Sequence, residues 1–398
     1  MPKKQALAQS ASGGLKIALV HDYLKEFGGA ERVLEILSDI FPNAPIYTTL
    51  YLPKFFGPHR QRLQKKWQGR IHSSFFQFIP FASKLVSPLR FLSSLAFKFF
   101  NFSKYDIIIS SATGAYFPNS LNKKSAKLFC YCHTPPRYLY GLPTARDLKK
   151  YPVINFLAQI ANHFLRLFDF HWAQNVDQFI ANSNTVKQRI KKFYRKPAII
   201  INPPIDLPSG VTPPWRSSDG KNLSLRAKRG NPAGISPFYL TGGRLARAKR
   251  YDIAIKACNK LKLPLKIFGR DFANFSQELK SMAGPTVEFL GEITQKEKKQ
   301  LFRQAKALFF CSDNEDFGML PLEAMAYGCP VIAYKSGGAE ETVVDGKTGV
   351  FFHKLTSDSC ITAIKKFQKL KFSSQTCRFH AQNFSQQKFT SKIKHLFF

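Results

Sequence analysis

Short apolar runs alternate along the chain with segments whose apolar residues recur at helical spacing. The first such unit is KIALV, Lys16 to Val20, of strand type, then a loop with Gly28 and Gly29, then AERVLEILSDIF at helical period. Further strand-like runs follow at YDIIISSA, AKLFCYCHT, VDQFIANS and PAIIINPP, separated by stretches long enough for helices. Continuous apolar strands of this kind belong to a parallel sheet covered on both faces, so an α/β domain is expected over 15–206. The alternation restarts at FYLTGG and continues through LKIFG, VEFLG, ALFFC and PVIAY, with YDIAIKACNKL and KEKKQLFRQA as helical stretches between them. That predicts a second α/β domain over 238–379, with a C-terminal helix at 380–398 completing the first. Residues 207–237 are rich in Pro, Gly and Ser, carry Arg216, Lys221, Arg226, Lys228 and Arg229, and read as a linker or insertion. Residues 1–14 read as a disordered leader. Ligands of doubly wound sheets bind outside the carboxyl ends of the strands, so the chemistry is expected in those loops, at a cleft between two such domains.

Composition refines this picture. A chain of 398 residues exceeds what one core usually holds, which agrees with two domains. The net charge of +35 implies an anionic partner without choosing among nucleic acid, lipid headgroups and phosphorylated substrates. Seven scattered cysteines do not make a disulfide framework and fit a reducing compartment. Cys130, Cys132 and His133 lie close together, but no second Cys/His pair follows at zinc spacing, so no metal site is expected there. The Phe-rich stretch from Phe75 to Phe102 is interrupted by Lys84, Arg90 and Lys98 and by Pro80 and Pro88, which rules out a membrane span. It is suited either to rest on anionic lipid or to fill the first domain's core.

The densest chemistry lies in ALFFCSDNEDFGMLPLEAMAYGCPVIAY, which reads as strand, loop, helix, strand. Pro321 suits a first helical position and Gly328 a helix stop. Backbone N–H groups around Gly318, Met319 and Leu320, after Phe317, would then sit at a helix N-terminus and favour a diphosphate. Glu323 can accept hydrogen bonds from vicinal hydroxyls, and Glu315 flanks the same anion site. Either glutamate alone is explained by helix-dipole complementarity or solvation. In TGGRLARAKRYD, Arg244 and Lys249 follow a strand, where a guanidinium fork and an ammonium would clamp phosphates. His133 in YCHTPPRYLY follows a strand and precedes two stiffening prolines; a lone histidine there is as often a core residue. Asp313, Asn314, Glu315 and Asp316 superficially resemble a Mg²⁺ cluster, yet fixed cations and a helix N-terminus supply the same charge.

The segment EDFGMLPLEAMAYGCPVIA resembles the E-x7-E signature of family 4 retaining glycosyltransferases with the GT-B fold, in which two Rossmann-like domains face a cleft. The following GGAEETVVDGKTGVFF is also similar to that family, and the resemblance runs from about Lys16 to the C-terminus with the linker outside it. VHDYLKEFGGAERVLE resembles the family's first donor-contacting loop, which carries Gly28 and Gly29 over as donor contacts. YCHTPPRYLY resembles the His-x-Pro-Pro-Arg segment of a subgroup often acting in mannosyl transfer to surface polysaccharides. The resemblance implies a nucleotide-diphosphate sugar donor, GDP-mannose first, and a saccharide or lipid-linked acceptor. It also implies a metal-independent reaction without cofactor, with Arg244 and Lys249 on phosphate, Glu323 on the ribose, and Glu315 and His133 at the transferred sugar. A cytoplasmic protein, peripheral at the inner membrane face, is the expected setting. One departure stands out: after LKIFG the family commonly carries a second glycine and a proline, and this chain reads GRDFANF. Two alternatives remain: a specific nucleic-acid-binding protein, for which no RNA-binding, helix-turn-helix or zinc-finger pattern is found, and a nucleotide-sugar epimerase, against which the E-x7-E helix argues.

Overall fold

A computed structural model describes residues 14–144, 152–208, 237–272 and 274–398. The linker and the N-terminal leader expected from composition lie almost wholly outside those residues. The chain divides into two compact units. The first holds the chain up to Gly141, Val153–Ile201 and Ile393–Phe398; the second includes Asn202–Lys392.

The first unit is built on seven parallel strands: β1 (Ile17–His21), β2 (Ile46–Thr48), β3 (Ile71–Ser73), β4 (Ile107–Ala112), β5 (Lys127–Cys132), β6 (Gln178–Ala181) and β7 (Ala198–Ile200). Their spatial order is β3-β2-β1-β4-β5-β6-β7, so the winding reverses between β1 and β4. Every residue of β1 and β4 is buried, which is why both read as unbroken apolar runs. Among the described residues, the α-helices that accompany this sheet are α1 (Gly29–Ile40), α2 (Arg60–Lys66), α3 (Ser93–Lys98), α4 (Pro152–Gln174) and α5 (Asn184–Tyr194). α1 turns Val33, Leu34, Ile36 and Leu37 inward, the stripe that its sequence period announces. Its outer end is fixed by charge: Glu35 takes Arg62 and Lys66 from α2, and Arg70 donates to the carbonyls of Ser38, Phe41 and Ala44 where α1 runs out of internal partners. β2 and β3, three residues each, carry too little pattern to be picked out in the sequence.

The second unit carries β8 (Tyr239–Gly242), β9 (Leu265–Phe268), β10 (Val287–Gly291), β11 (Leu308–Phe310), β12 (Val331–Tyr334) and β13 (Gly349–Phe352). All pairings are parallel and the order is β10-β9-β8-β11-β12-β13, the doubly wound pattern with its reversal between β8 and β11. The helices are α6 (Tyr251–Leu261), α7 (Phe275–Ser281), α8 (Gln295–Gln304), α9 (Met319–Ala326), α10 (Ala339–Thr342), α11 (Ser357–Lys369) and α12 (Ser374–Gln382). Two apolar layers cover this sheet, one through Ile253, Ile255, Phe309 and Ile364, the other through Phe268, Phe310, Leu322 and Met325. The last helix, α13 (Gln386–Phe397), begins in this unit and ends in the first, where Phe397 packs its ring on Phe41 and Phe129 at 5.6 and 4.7 Å.

Candidate functional site

Most of the predicted residues follow strands at the two reversal points; Glu323 lies on the helix after β11, and His133 follows β5, one strand beyond the first reversal. In the second unit β8 ends at Gly242, and the loop carrying Arg244 and Lys249 follows it. Gly269, at the end of β9, has φ +139°, and a Cβ there would lie 1.7 Å from the Gly243 carbonyl, so the two turns pass with no room for a side chain. The buried Tyr251 hydroxyl reaches the carbonyls of Gly242 and Arg244 at 3.0 and 3.2 Å and fixes the loop from beneath. Burial, with the Glu315 charge adding to it, pushes the Tyr251 phenol up, so it keeps its proton. Arg244 is exposed, with its guanidinium 5.5 Å from the Phe272 ring.

On the other side of the reversal, β11 leads into the acidic loop. Lys249 Nζ lies 2.5 Å from Glu315 Oε2, and Asp313 N–H donates to the Ala248 carbonyl at 3.1 Å, so the two loops form one surface. The loop rests on Gly337 and Gly338. Gly338 N–H donates to the Glu315 carbonyl at 2.8 Å, while a Cβ on Gly337 would sit 2.3 Å from that same carbonyl and one on Gly338 2.2 Å from Phe317 Cα. Gly318, at φ +87°, caps α9 in the left-handed region, and the helix opens at Met319.

Two details differ from expectation. Pro321 is the third helical residue rather than the first, because the chain enters the helix through Gly318; Glu323 accordingly falls past the first turn. The Phe317 side chain is buried against Phe384, so only its backbone is left for a ligand. Met319 and Leu320 are half-buried on the same core, again leaving their backbone at the helix start. Gly328, at φ +85° just past α9, stops the helix as expected. Glu323 is ion-paired with Lys298 from α8, both side chains largely buried at 12% and 16% exposure. No sequence motif singles out Lys298: it lies among Lys296, Lys298 and Lys299, and only the turn that brings α8 against α9 distinguishes it.

In the first unit β1 ends at His21 and leads to Gly28 and Gly29, both exposed, with Gly28 as the N-cap of α1 and its N–H held by Glu31 at 2.8 Å. His133 stands one residue past β5. Its backbone is fixed by Ala112 and Asn182, and its Nε2 meets Ser111 Oγ at 3.0 Å. Burial, then the nearby His21, pull its imidazole down to about 3, so it is neutral under ordinary conditions. Behind it, Asp22 accepts from Thr113, Ala115 and Tyr116 and shapes the loop after β4. His21, Ser111 and Glu31 belong to this site and were missed, because each sits on a different element.

Two family models match, Glycosyltransferase Family 4 over residues 27–208 and Glycosyl transferases group 1 over residues 226–384. The chain is 27% identical over 383 residues to the alpha-1,3/1,6-mannosyltransferase ALG2 of Dictyostelium discoideum, covering 86% of this chain and 87% of that one. The human ALG2 protein is 26% identical over 268 residues, 62% of this chain and 61% of that one. Among solved structures, Anabaena HepE in complex with UDP and glucose superposes with a TM-score of 0.64 at 19% identity, covering 96% of this chain and 99% of that one. Sucrose-phosphate synthase from Thermosynechococcus elongatus gives 0.66 at 16%, covering 96% and 98%. These matches give no support to the nucleic-acid-binding and epimerase alternatives. Two parallel sheets with reversal-point loops, matched by these two models over 27–208 and 226–384, show that the chain belongs to the group 1 glycosyltransferases of family 4 and is a glycosyltransferase of GT-B fold.

Proposed function

We propose that the enzyme transfers mannose, with retention, from a nucleotide-diphosphate donor to a hydroxyl of a saccharide or lipid-linked acceptor in cell-surface glycan synthesis, with GDP-mannose as donor. The observation that carries it is the Lys249–Glu315 pair at 2.5 Å beside the start of α9. This puts a fixed cation, a carboxylate and helix N–H groups at one sheet reversal, the arrangement that a leaving diphosphate and a sugar acquiring positive charge require. Arg244 and Lys249, with the backbone from Phe317 to Leu320, take the diphosphate. Glu323 takes the ribose hydroxyls. Glu315 and His133 serve the transferred sugar, and Gly28 and Gly29 offer backbone to the donor. With phosphate charge met by fixed side chains, the reaction is metal-independent and needs no cofactor. The mannosyltransferase names of the similar proteins favour mannose.

A panel of sugar nucleotides tests this reading. GDP-mannose should give the largest rise in melting temperature, unchanged by a chelator, and labelled mannose should appear on a lipid-linked saccharide acceptor. A rise with other nucleotides and none with GDP-mannose defeats the donor assignment.

The membrane part of the proposal rests on a surface of the first unit. Phe78 and Phe99 are 85% and 71% exposed, Phe81, Phe91, Leu92 and Leu95 are exposed with them, and Lys84 and Lys98 are exposed among them, while Arg90 sets its guanidinium on the Tyr138 ring. A groove lined by Lys98, Lys123, Lys124, His171 and Trp172 joins that region to α4, which exposes Phe164, Leu167 and Phe168. Apolar rings flanking cations suit an anionic bilayer, the inner face of the cell membrane in this proposal. Among the described residues no helix is long and apolar enough to cross one. Flotation with anionic but not neutral vesicles is the expected result.

A further inference from the structure

We infer that Glu31, His21 and Ser111 form a buried hydrogen-bonded array that holds the His133 ring with its hydrogen on Nε2, so that Nδ1 presents a lone pair to a substrate hydroxyl. His21 and Ser111 are register partners at the ends of β1 and β4, on either side of the sheet reversal, and both are fully buried. His21 Nδ1 lies 3.1 Å from Ser111 Oγ, and Ser111 Oγ lies 3.0 Å from His133 Nε2. At the far end, His21 Nε2 has no hydrogen-bond partner and faces the Glu31 carboxylate at 3.7 Å, while Glu31 is itself anchored on Gly28 N–H. Four polar groups, from three elements and the loop after β5, thus stand in a row, ending at the residue assigned to the sugar.

The direction of the row follows from its charged end. A lone pair on His21 Nε2 would face a carboxylate across 3.7 Å with water excluded, which is repulsive, so the hydrogen sits there. In the neutral ring one nitrogen carries the hydrogen and the other a lone pair. With Nε2–H settled, His21 Nδ1 accepts from the Ser111 hydroxyl. The Ser111 oxygen then accepts from His133 Nε2–H, and His133, neutral through burial, is left with a lone pair on Nδ1. His21, Ser111 and Glu31 act through His133 and are positioning residues. That Nδ1 meets a sugar hydroxyl rests on the glycosyl-transfer reading; the tautomer itself does not.

Nitrogen correlation spectra of the protein with isotope-labelled histidines decide the matter. The expected result is His133 as the Nε2–H tautomer at neutral pH. Glu31→Gln keeps a side chain able to cap Gly28 N–H but removes the charge, so it should leave the fold intact and let both His133 tautomers appear. Ser111→Ala should do the same and lower kcat about tenfold, the worth of one orienting hydrogen bond, with KM little changed. Finding hydrogen on His133 Nδ1 in the wild type, or a tautomer unmoved by both variants, overturns the inference. Observing the expected tautomers in a protein that transfers no sugar would defeat the functional reading and leave the array standing.

Discussion

Lys298 and Glu323 set a cation against the carboxylate proposed for the ribose, both largely shielded from water. Their value is orientation: a carboxylate held by an ammonium on one side offers its remaining lone pairs in a fixed direction. Lys298→Met keeps the stem's apolar packing on Phe302, whose ring lies 5.7 Å from Nζ, and removes only the charge. The variant should lose about 1.5–3 kcal/mol of stability, as expected when a charged hydrogen bond is broken at a shielded site. Donor affinity should fall about tenfold in a calorimetric titration, the cost of losing the carboxylate's fixed direction. Tighter donor binding in Lys298→Met would show that the lysine competes with the ribose instead of orienting its partner. The acidic loop was legible at this scale because Glu315, Gly318 and Glu323 are contiguous in sequence and their spacing is tied to one helix start. Lys298, Glu31, His21 and Ser111 were not, since each gains its role only when sheet register or helix packing brings distant segments together.

Among elements, the two sheets were legible wherever a strand is a run of four or more buried residues, as in β1, β4 and β8. β2 and β3 are shorter, three residues each, and β3 at the sheet edge has no fully buried residue. The turn under the acidic loop makes an element-scale prediction. A Cβ at Gly338 would lie 2.2 Å from Phe317 Cα, and backbone cannot rotate away as a side chain can. Gly338→Ala should therefore displace the Glu315–Phe317 loop, costing about 3 kcal/mol of stability and abolishing the donor-induced rise in melting temperature. Gly346→Ala is the control: its φ of +72° carries strain, but nothing lies within 4 Å of a Cβ there, so it should cost about 1–2 kcal/mol and leave donor binding intact. Equal loss of binding in both variants would mean that backbone strain, not the seat beneath the loop, controls the site.

At the scale of the whole molecule, the buried Asp169 and the partly buried His133 of the first unit give the stability of the fold a pH profile with opposing parts. Asp169, buried and bonded to the Tyr140 hydroxyl at 2.8 Å, is raised by burial from 3.8 to about 7. The native state therefore holds its proton where the unfolded chain has lost it, and its contribution is complete below 3.8 and drains away as pH rises toward 7. His133 runs the other way. Its imidazole is lowered by burial from 6.5 to about 3, so the unfolded chain binds the proton first, and its contribution is complete above 6.5 and drains away as pH falls toward 3. Between 3.8 and 6.5 the two slopes oppose each other. Removing one should expose the other: relative to the wild type, Asp169→Asn should gain stability steadily as pH rises through that window, and His133→Gln should lose it. Denaturant titrations of the three proteins at several pH values read this as diverging midpoints. Parallel profiles would mean that neither group titrates differently in the folded and unfolded chains.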